Sequence, residues 1–277
     1  MALAVIDRDT TLPDFTNPPV EETALSIQFA PIPKFGAPHF GLYWAQIRGE
    51  FERFEVQAPV ANVTEQFDPS VRQRPQVGLQ FLPAPDLRCW FLDKSGNRLI
   101  QIQRDRFIHN WRRVTGTETY PRYPKTRETL QAQWIRFLSF LKSEDLGSPE
   151  VNQCEITYVN HIEYGSGWRD YGELNKVVAP WSGQQSGEFL PHPERATMEM
   201  HYLLPEKLGR LHISLGPVIR ARDMKEVLQM NLIARGAPKS SNVEDILSWM
   251  DLGREWIVKG FSEITTQTMH KIWGRTS

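Results

Sequence analysis

Cysteine is nearly absent: the 277 residues carry only Cys89 and Cys154, far apart and in no CxxC pair. That usage excludes a zinc knuckle and a disulfide-stapled scaffold, and it implies a reducing, cytoplasmic setting. Neither sign of charge is in excess. Lysines and arginines number 32 against 33 acidic residues, a formal net charge of −1. No whole-molecule field therefore draws the chain to polyanions, and any such binding must come from a local patch. Long apolar runs are missing too. No stretch approaches the ~20 residues of a membrane span, so no membrane is expected as a partner. The opening MALAVIDRDTTLPDF has a short apolar run with an Asp behind it and no basic leader, so no signal peptide is expected.

The usual catalytic signatures are also missing. His39, His109, His161, His192, His201, His212 and His270 show no HxH, HExxH or H-x3-H spacing, so no metal site is expected. A GxGxxG, a GxxxxGK[ST] and a GxSxG are absent, which removes the signatures of dinucleotide binding, P-loop chemistry and the serine hydrolase elbow. No cofactor is expected, and no catalytic residue is assigned. An acid–base pair assembled from distant strands would leave no such trace, however.

What the chain does have is material for a core, with 14 Phe, 9 Trp, 7 Tyr and 40% hydrophobic residues. Residues 1–22, ending in NPPVEE, read as an extended N-terminal arm. In ALSIQFAPI (24–32), Leu25, Ile27 and Phe29 alternate with Ser26 and Gln28, the pattern of a half-buried strand. Between His39 and Phe54 the apolar residues Phe40, Trp44, Ile47, Phe51 and Phe54 recur by threes and fours, which predicts a helix. VGLQFLP (77–83), LRCWFLD (87–93) and RLIQIQR (98–104) follow as strands, the last two joined by the turn Lys94-Ser95-Gly96-Asn97. Leu130, Trp134, Phe137, Leu138 and Leu141 form a second helical stripe.

The polar segment Glu144–Glu150 marks a boundary between halves 23–146 and 147–277, or a loop within one continuous domain. Beyond it lie strands at 151–165, 197–205, 209–219 and 227–236. A last helix is opened by the capping box Ser241-Asn242-Val243-Glu244, and Gly253 and Gly260 on it allow close approach to the sheet. The fold class is α+β: antiparallel sheet with long amphipathic helices on one face, in two similar β/α halves.

Arginines and aromatics crowd together between Arg98 and Arg127. Guanidinium groups beside aromatic rings suit phosphate contacts and base stacking, yet a sheet's solvated side above a packed core has the same composition. Parity sharpens the stretch. Ile100 and Ile102 share one side of a strand while Phe107 and Trp111 have the opposite parity, so a bulge or bend is expected near Arg104-Asp105-Arg106, with Asn110 facing away from Trp111. Elsewhere, His161 reads as a hydrogen-bonded sheet histidine and Cys89 as a small buried strand residue. Trp168, Tyr171 and Trp181 form either a binding lip or a cap on the sheet.

NPPVEETALSIQFAP, QIQRDRF-x-x-NW, YPRYPK, EITYVNHI and FSEITTQTMHKIWGR stand in that order along the chain. In these motifs it resembles a sporadically distributed prokaryotic family of uncharacterised proteins of about this length. The resemblance implies no assigned activity. Patchy distribution of this kind implies an accessory role in phage defence or a toxin–antitoxin system. Gly253 departs from the more polar residue expected on the family's last helix.

These features together predict a non-catalytic cytoplasmic binding protein acting through a protein partner. Its candidate ligand-binding residues are Gln101, Gln103, Arg104, Arg106, Asn110, Trp111 and Arg112, with Tyr120 and Tyr123 beside them. Two alternatives stay open: a nucleic-acid or nucleotide binder using Arg98–Arg127, and an enzyme on nucleotides with His161 or Asp105 as base. The tryptophan content also leaves homo-oligomerisation open.

Overall fold

The computed structural model describes residues 12–67, 87–183 and 189–277. The alternation of β1 (Val20–Phe29) buries Leu25, Ile27 and Phe29 completely on one face. The strand starts at Val20, ahead of the expected Thr23, and its register against the neighbouring strand shifts between Val20 and Glu22. Of the expected arm, residues 12–19 pack against the C-terminus. Phe15 is buried with its ring centroid 5.5 Å from that of Phe261, and the backbone N–H groups of Thr16 and Asn17 donate to the carbonyls of Gly274 and Trp273.

The first helix is shorter than its apolar spacing predicts. α1 (Ala37–Ile47) ends before Phe51, the chain turns through residues 48–50, and β2 (Arg53–Gln57) carries Phe54 with about half its surface exposed. The Phe51 N–H donates to Ile47 O and its carbonyl accepts from Trp44 Nε1, so Phe51 is buried from a turn that ends the helix.

β3 (Arg88–Leu92) and β4 (Arg98–Gln103) pair through a turn in which Gly96 takes φ +78°, and Asp93 Oδ1 accepts from the Gly96 N–H at 2.7 Å. β4 and β5 (Arg106–Arg112) correct the expected bulge. Arg104 and Asp105 form a tight hairpin that opposes Ile102 to Phe107 and Ile100 to His109. Reversing the chain brings both apolar sets onto one face.

α2 (Arg122–Ser143) buries Leu130, Trp134, Phe137 and Leu141, with Phe140 where Leu138 was expected. Trp134 reaches the rings of Phe29 and Phe107 at 5.8 and 5.5 Å. The remaining elements are β6 (Val151–Ile162), β7 (Met198–Leu203), β8 (Arg210–Arg220), β9 (Lys225–Gly236), α3 (Val243–Ile264) and α4 (Gln267–Trp273). The nine strands of the described residues form one antiparallel sheet in the order β2-β3-β4-β5-β1-β6-β9-β8-β7. The polar segment 144–150 does not interrupt it, since β1 pairs with β5 on one side and β6 on the other. The expected strand at 77–83 lies outside the described residues.

α3 lies on β6, β8 and β9. Gly260 lets it approach, because a Cβ there would meet Leu211 Cδ2 at 2.7 Å. Its cap is Asn242, one residue later than expected: Asn242 Oδ1 accepts from the Asp245 N–H at 2.7 Å. Asn242→Ala is expected to lower unfolding stability by about 1 kcal/mol, with Asn242→Ser retaining most of it. A urea melt indistinguishable from wild type for the alanine variant would contradict the cap. In the 165–193 loop Trp168 and Tyr171 are buried, as the capping reading requires, while Trp181 is half-buried and Phe189 is exposed.

Candidate functional site

Strand parity divides the sheet into two chemistries. One face is apolar and carries the helices. The other, the open face, carries Gln28 of β1, Gln101 and Gln103 of β4, and Arg106, Asn110 and Arg112 of β5. These side chains are tied into a chain of hydrogen bonds. Trp90 Nε1 and Arg88 Nη1 donate to Gln101 Oε1 at 2.8 and 3.1 Å. Gln101 Nε2 donates to Asn110 Oδ1 at 2.8 Å, and Asn110 Nδ2 to Glu22 Oε1 at 2.7 Å. Gln101 and Asn110 are buried, and such groups persist in an interior only when paired in this way. Burial raises the Glu22 carboxyl above its ordinary value, against the opposing effects of Asn110 and Arg112. The guanidinium groups of Arg88 and Arg112 lie 5.5 and 5.3 Å from the Trp90 ring centroid.

Residues 58–67, a strap without helix or strand structure, make side-chain and backbone bonds to this face. Gln103 grips the backbone of Val60 at two points, Oε1 accepting from its N–H at 3.0 Å and Nε2 donating to its carbonyl at 2.9 Å. Arg106 Nη2 donates to Ala61 O at 3.1 Å, and Gln28 Oε1 accepts from the Val63 N–H at 3.2 Å. Further along, the Glu65 carboxylate sits among Arg210, His212 at 2.5 Å and Arg235 at 3.3 Å, its side chain only 5% exposed. Burial alone would raise its pKa. The pairing with His212 and then the two arginines outweighs burial and holds the carboxyl below its usual range. Glu155 Oε2 accepts from Arg235 Nε at 2.5 Å, so the cations here are charge-matched.

The expected site residues do not all share one surface. Gln101, Gln103, Arg106, Asn110 and Arg112 do. Arg104 stands on the β4–β5 turn, its carbonyl accepting from the Ile32 N–H. Trp111, Tyr120 and Tyr123 are buried on the helix side, Trp111 with its ring 5.5 Å from Tyr120, and Tyr123 donating its hydroxyl to Asp251 Oδ1 at 2.7 Å. Trp111 has the parity of Phe107, and α2 carries Tyr123 over that face. Sequence reasoning overlooked Gln28, Trp90, Arg210, His212 and Arg235. The alternations in ALSIQF and GRLHISLG put Gln28, Arg210 and His212 opposite the apolar residues, which is the signal that was there to use. Nothing in the string marked Glu65.

A cavity of about 520 Å³ opens at the end of the sheet where β1 begins, lined in part by Glu21, Arg113, His161, Arg220 and Arg222. His161 Nε2 is 3.1 Å from Gln229 Oε1, as expected of a bonded sheet histidine, and Nδ1 is 3.8 Å from Glu21 Oε2. Arg222 pairs with Glu21, and burial lowers the His161 pKa. The other candidate base, Asp105, accepts from Gln103 Nε2 at 2.6 Å. It lies near the Gln28 end of β1, whereas His161 lies near the Val20 end, so the two cannot act as a pair. Cys89 and Cys154 are buried, and burial raises both thiols away from nucleophilic thiolate. Among the described residues no group of three His, Cys, Asp or Glu is placed to hold a metal, and no helix is long and apolar enough to cross a membrane.

Compared with family models, curated proteins and solved structures, the chain matches none. The geometry therefore has to carry the functional reading.

Proposed function

We propose that this is a non-catalytic binding protein whose open sheet face holds an extended, acidic segment of a protein partner. The observation that carries the reading is the two-point grip of Gln103 on the Val60 backbone. Together with Arg106 and Gln28 it holds the main chain of an extended segment through side-chain amide and guanidinium groups on the sheet face. The Arg210–His212–Arg235 cluster is such a pocket, suited to a carboxylate. In the free chain the strap occupies this place itself. The strand order supports two similar β/α units: outward from the β1–β6 contact it runs β1-β5-β4-β3 one way, with β2 added at that edge, and β6-β9-β8-β7 the other, with α2 and α3 closing the respective units. An accessory partner protein of a defence or toxin–antitoxin system would use a surface of this kind.

A nucleic-acid reading has one observation in its favour, the two guanidinium groups held against Trp90. Against it, the open-face cations are matched by Glu22, Glu65 and Glu155, which leaves little field for a phosphate backbone.

The test replaces residues 58–67 by an equal length of Gly and Ser in the full chain and adds a fluorescent peptide of sequence APVANVTEQF in trans. Saturable anisotropy is expected. Affinity should fall about tenfold when the peptide carries Gln in place of Glu65, as loss of a charge-assisted contact implies, and likewise with Gln103→Ala in the protein. Absence of peptide binding, with salt-dependent binding of single-stranded RNA lost in Arg106→Ala and Arg112→Ala, would transfer the face to nucleic acid.

A further inference from the structure

On the opposite side of the sheet from the strap, a cavity of about 250 Å³ lies between α2, α3 and residues 13–18. Phe15, Val20, Leu232, Ile257 and Phe261 give it an apolar lining. Its roof is pinned by Arg122, which donates to Asp14 Oδ1 at 2.8 Å and to the Phe15 carbonyl at 3.0 Å. Among the described residues Asp14 is the only carboxylate on the lining, and that ion pair engages it.

One wall is polar. The hydroxyls of Tyr120 and Tyr158 are 2.8 Å apart, and both residues are buried. Burial raises the pKa of both phenols, so both keep their protons at neutral pH. Two hydroxyls carry two protons, and the bond between them uses one. The other phenolic O–H has no acceptor among the described residues. Arg254 lines the cavity with its guanidinium beside the Tyr158 hydroxyl and 5.0 Å from the Tyr123 ring centroid. A spare phenolic O–H and a guanidinium thus stand together on an apolar cavity that has one more cation than carboxylate among the described residues of its lining. Donors left unpaired in such a site are costly unless an acceptor completes them.

We infer that this cavity binds a small monocarboxylic acid with an apolar tail. The carboxylate accepts from the free phenolic O–H and pairs with the Arg254 guanidinium, and the tail lies against Val20, Ile257 and Phe261. The volume is below the usual range for drug-sized ligands, so the acid is short. This site is independent of the open face, and neither reading depends on the other.

Isothermal titration of the full chain with sodium octanoate, and with 1-octanol as the same tail lacking the carboxylate, tests the assignment. Octanoate should bind saturably and at least about tenfold more tightly than octanol, the difference a charge-assisted bond makes. Arg254→Met should remove that preference without weakening octanol, and Ile257→Trp should abolish both by filling the cavity. Should the tryptophan variant fail to fold, the double variant Tyr120→Phe/Tyr158→Phe, which removes both hydroxyls and no volume of consequence, should still reduce the preference. No saturable heat from octanoate, equal binding of octanol, or full octanoate affinity in Arg254→Met would each overturn the inference.

Discussion

Gly236→Ala is expected to destabilise the fold by about 3 kcal/mol, at the upper end of what one added methyl costs in a packed interior. The reason is backbone against backbone. A Cβ on Gly236 would stand 2.1 Å from Leu208 O, 2.8 Å from Gly209 Cα and 2.9 Å from Trp249 Cζ2. The Leu208 carbonyl is fixed by Trp249 Nε1, which donates to it at 2.9 Å, so it cannot swing aside without leaving a buried indole N–H unpaired. Nor can the strands part, because Arg210 pairs with Arg235 immediately beside the contact, and a Cβ on Gly209 would meet Arg235 O at 2.5 Å. Gly41, in α1 with nothing within 4 Å of its would-be Cβ, is the internal comparison. Gly41→Ala should stabilise by roughly 0.5–1 kcal/mol through backbone entropy alone. Urea midpoints of the two variants measure both signs at once. A Gly236→Ala midpoint close to wild type would mean that β8 and β9 do not approach as described.

Periodicity served the sequence reading well within each element and poorly between them. Leu25, Ile27 and Phe29, and likewise Trp134 and Phe137, are buried as their spacing requires, because a strand or helix face is a local property of the chain. The same rule carried α1 too far. Phe51 and Phe54 continue the three-and-four spacing of Phe40, Trp44 and Ile47, yet Phe51 is buried from a turn and Phe54 is half exposed on a strand; Gly49, directly after the helix end, was the local stop signal. At Arg104-Asp105 the parity conflict was correctly sensed, but a bulge and a reversal both resolve it. Only the pairing partner of Phe107, which is Ile102, separates them. The open face shows the same limit. Gln101, Gln103, Arg106 and Asn110 share a side because alternation puts them there. Glu65 reaches Arg210 and His212 from residues that are far away in sequence, and such a meeting leaves no spacing to read.

The pH dependence of stability should turn on a residue that the candidate site does not use. His109 lies on the helix side of β5, opposite Leu25 and Ile100, and is 1% exposed. Its Nδ1 has no hydrogen-bond partner among the described residues. Burial first, and the nearby charge of Arg98 second, lower its pKa from an ordinary 6.5 to about 4. As pH falls, the unfolded chain therefore takes up the proton before the folded one. The contribution is complete above about pH 6.5, is lost progressively down to about pH 4, and amounts to roughly 3 kcal/mol over that window. His161 and His270 are also lowered by burial and act in the same direction. Glu65, a depressed carboxyl, loses its contribution only as pH falls below the ordinary carboxylate range. Comparing wild type with His109→Leu isolates one group from these others. Packing changes shift the variant's stability by a constant, whereas the slope between pH 6.5 and 4 should flatten by the share that belongs to His109. Parallel unfolding free energies for the two proteins across that window would show that the imidazole is not buried neutral. In that case Ile100 and Leu25 would not close over it.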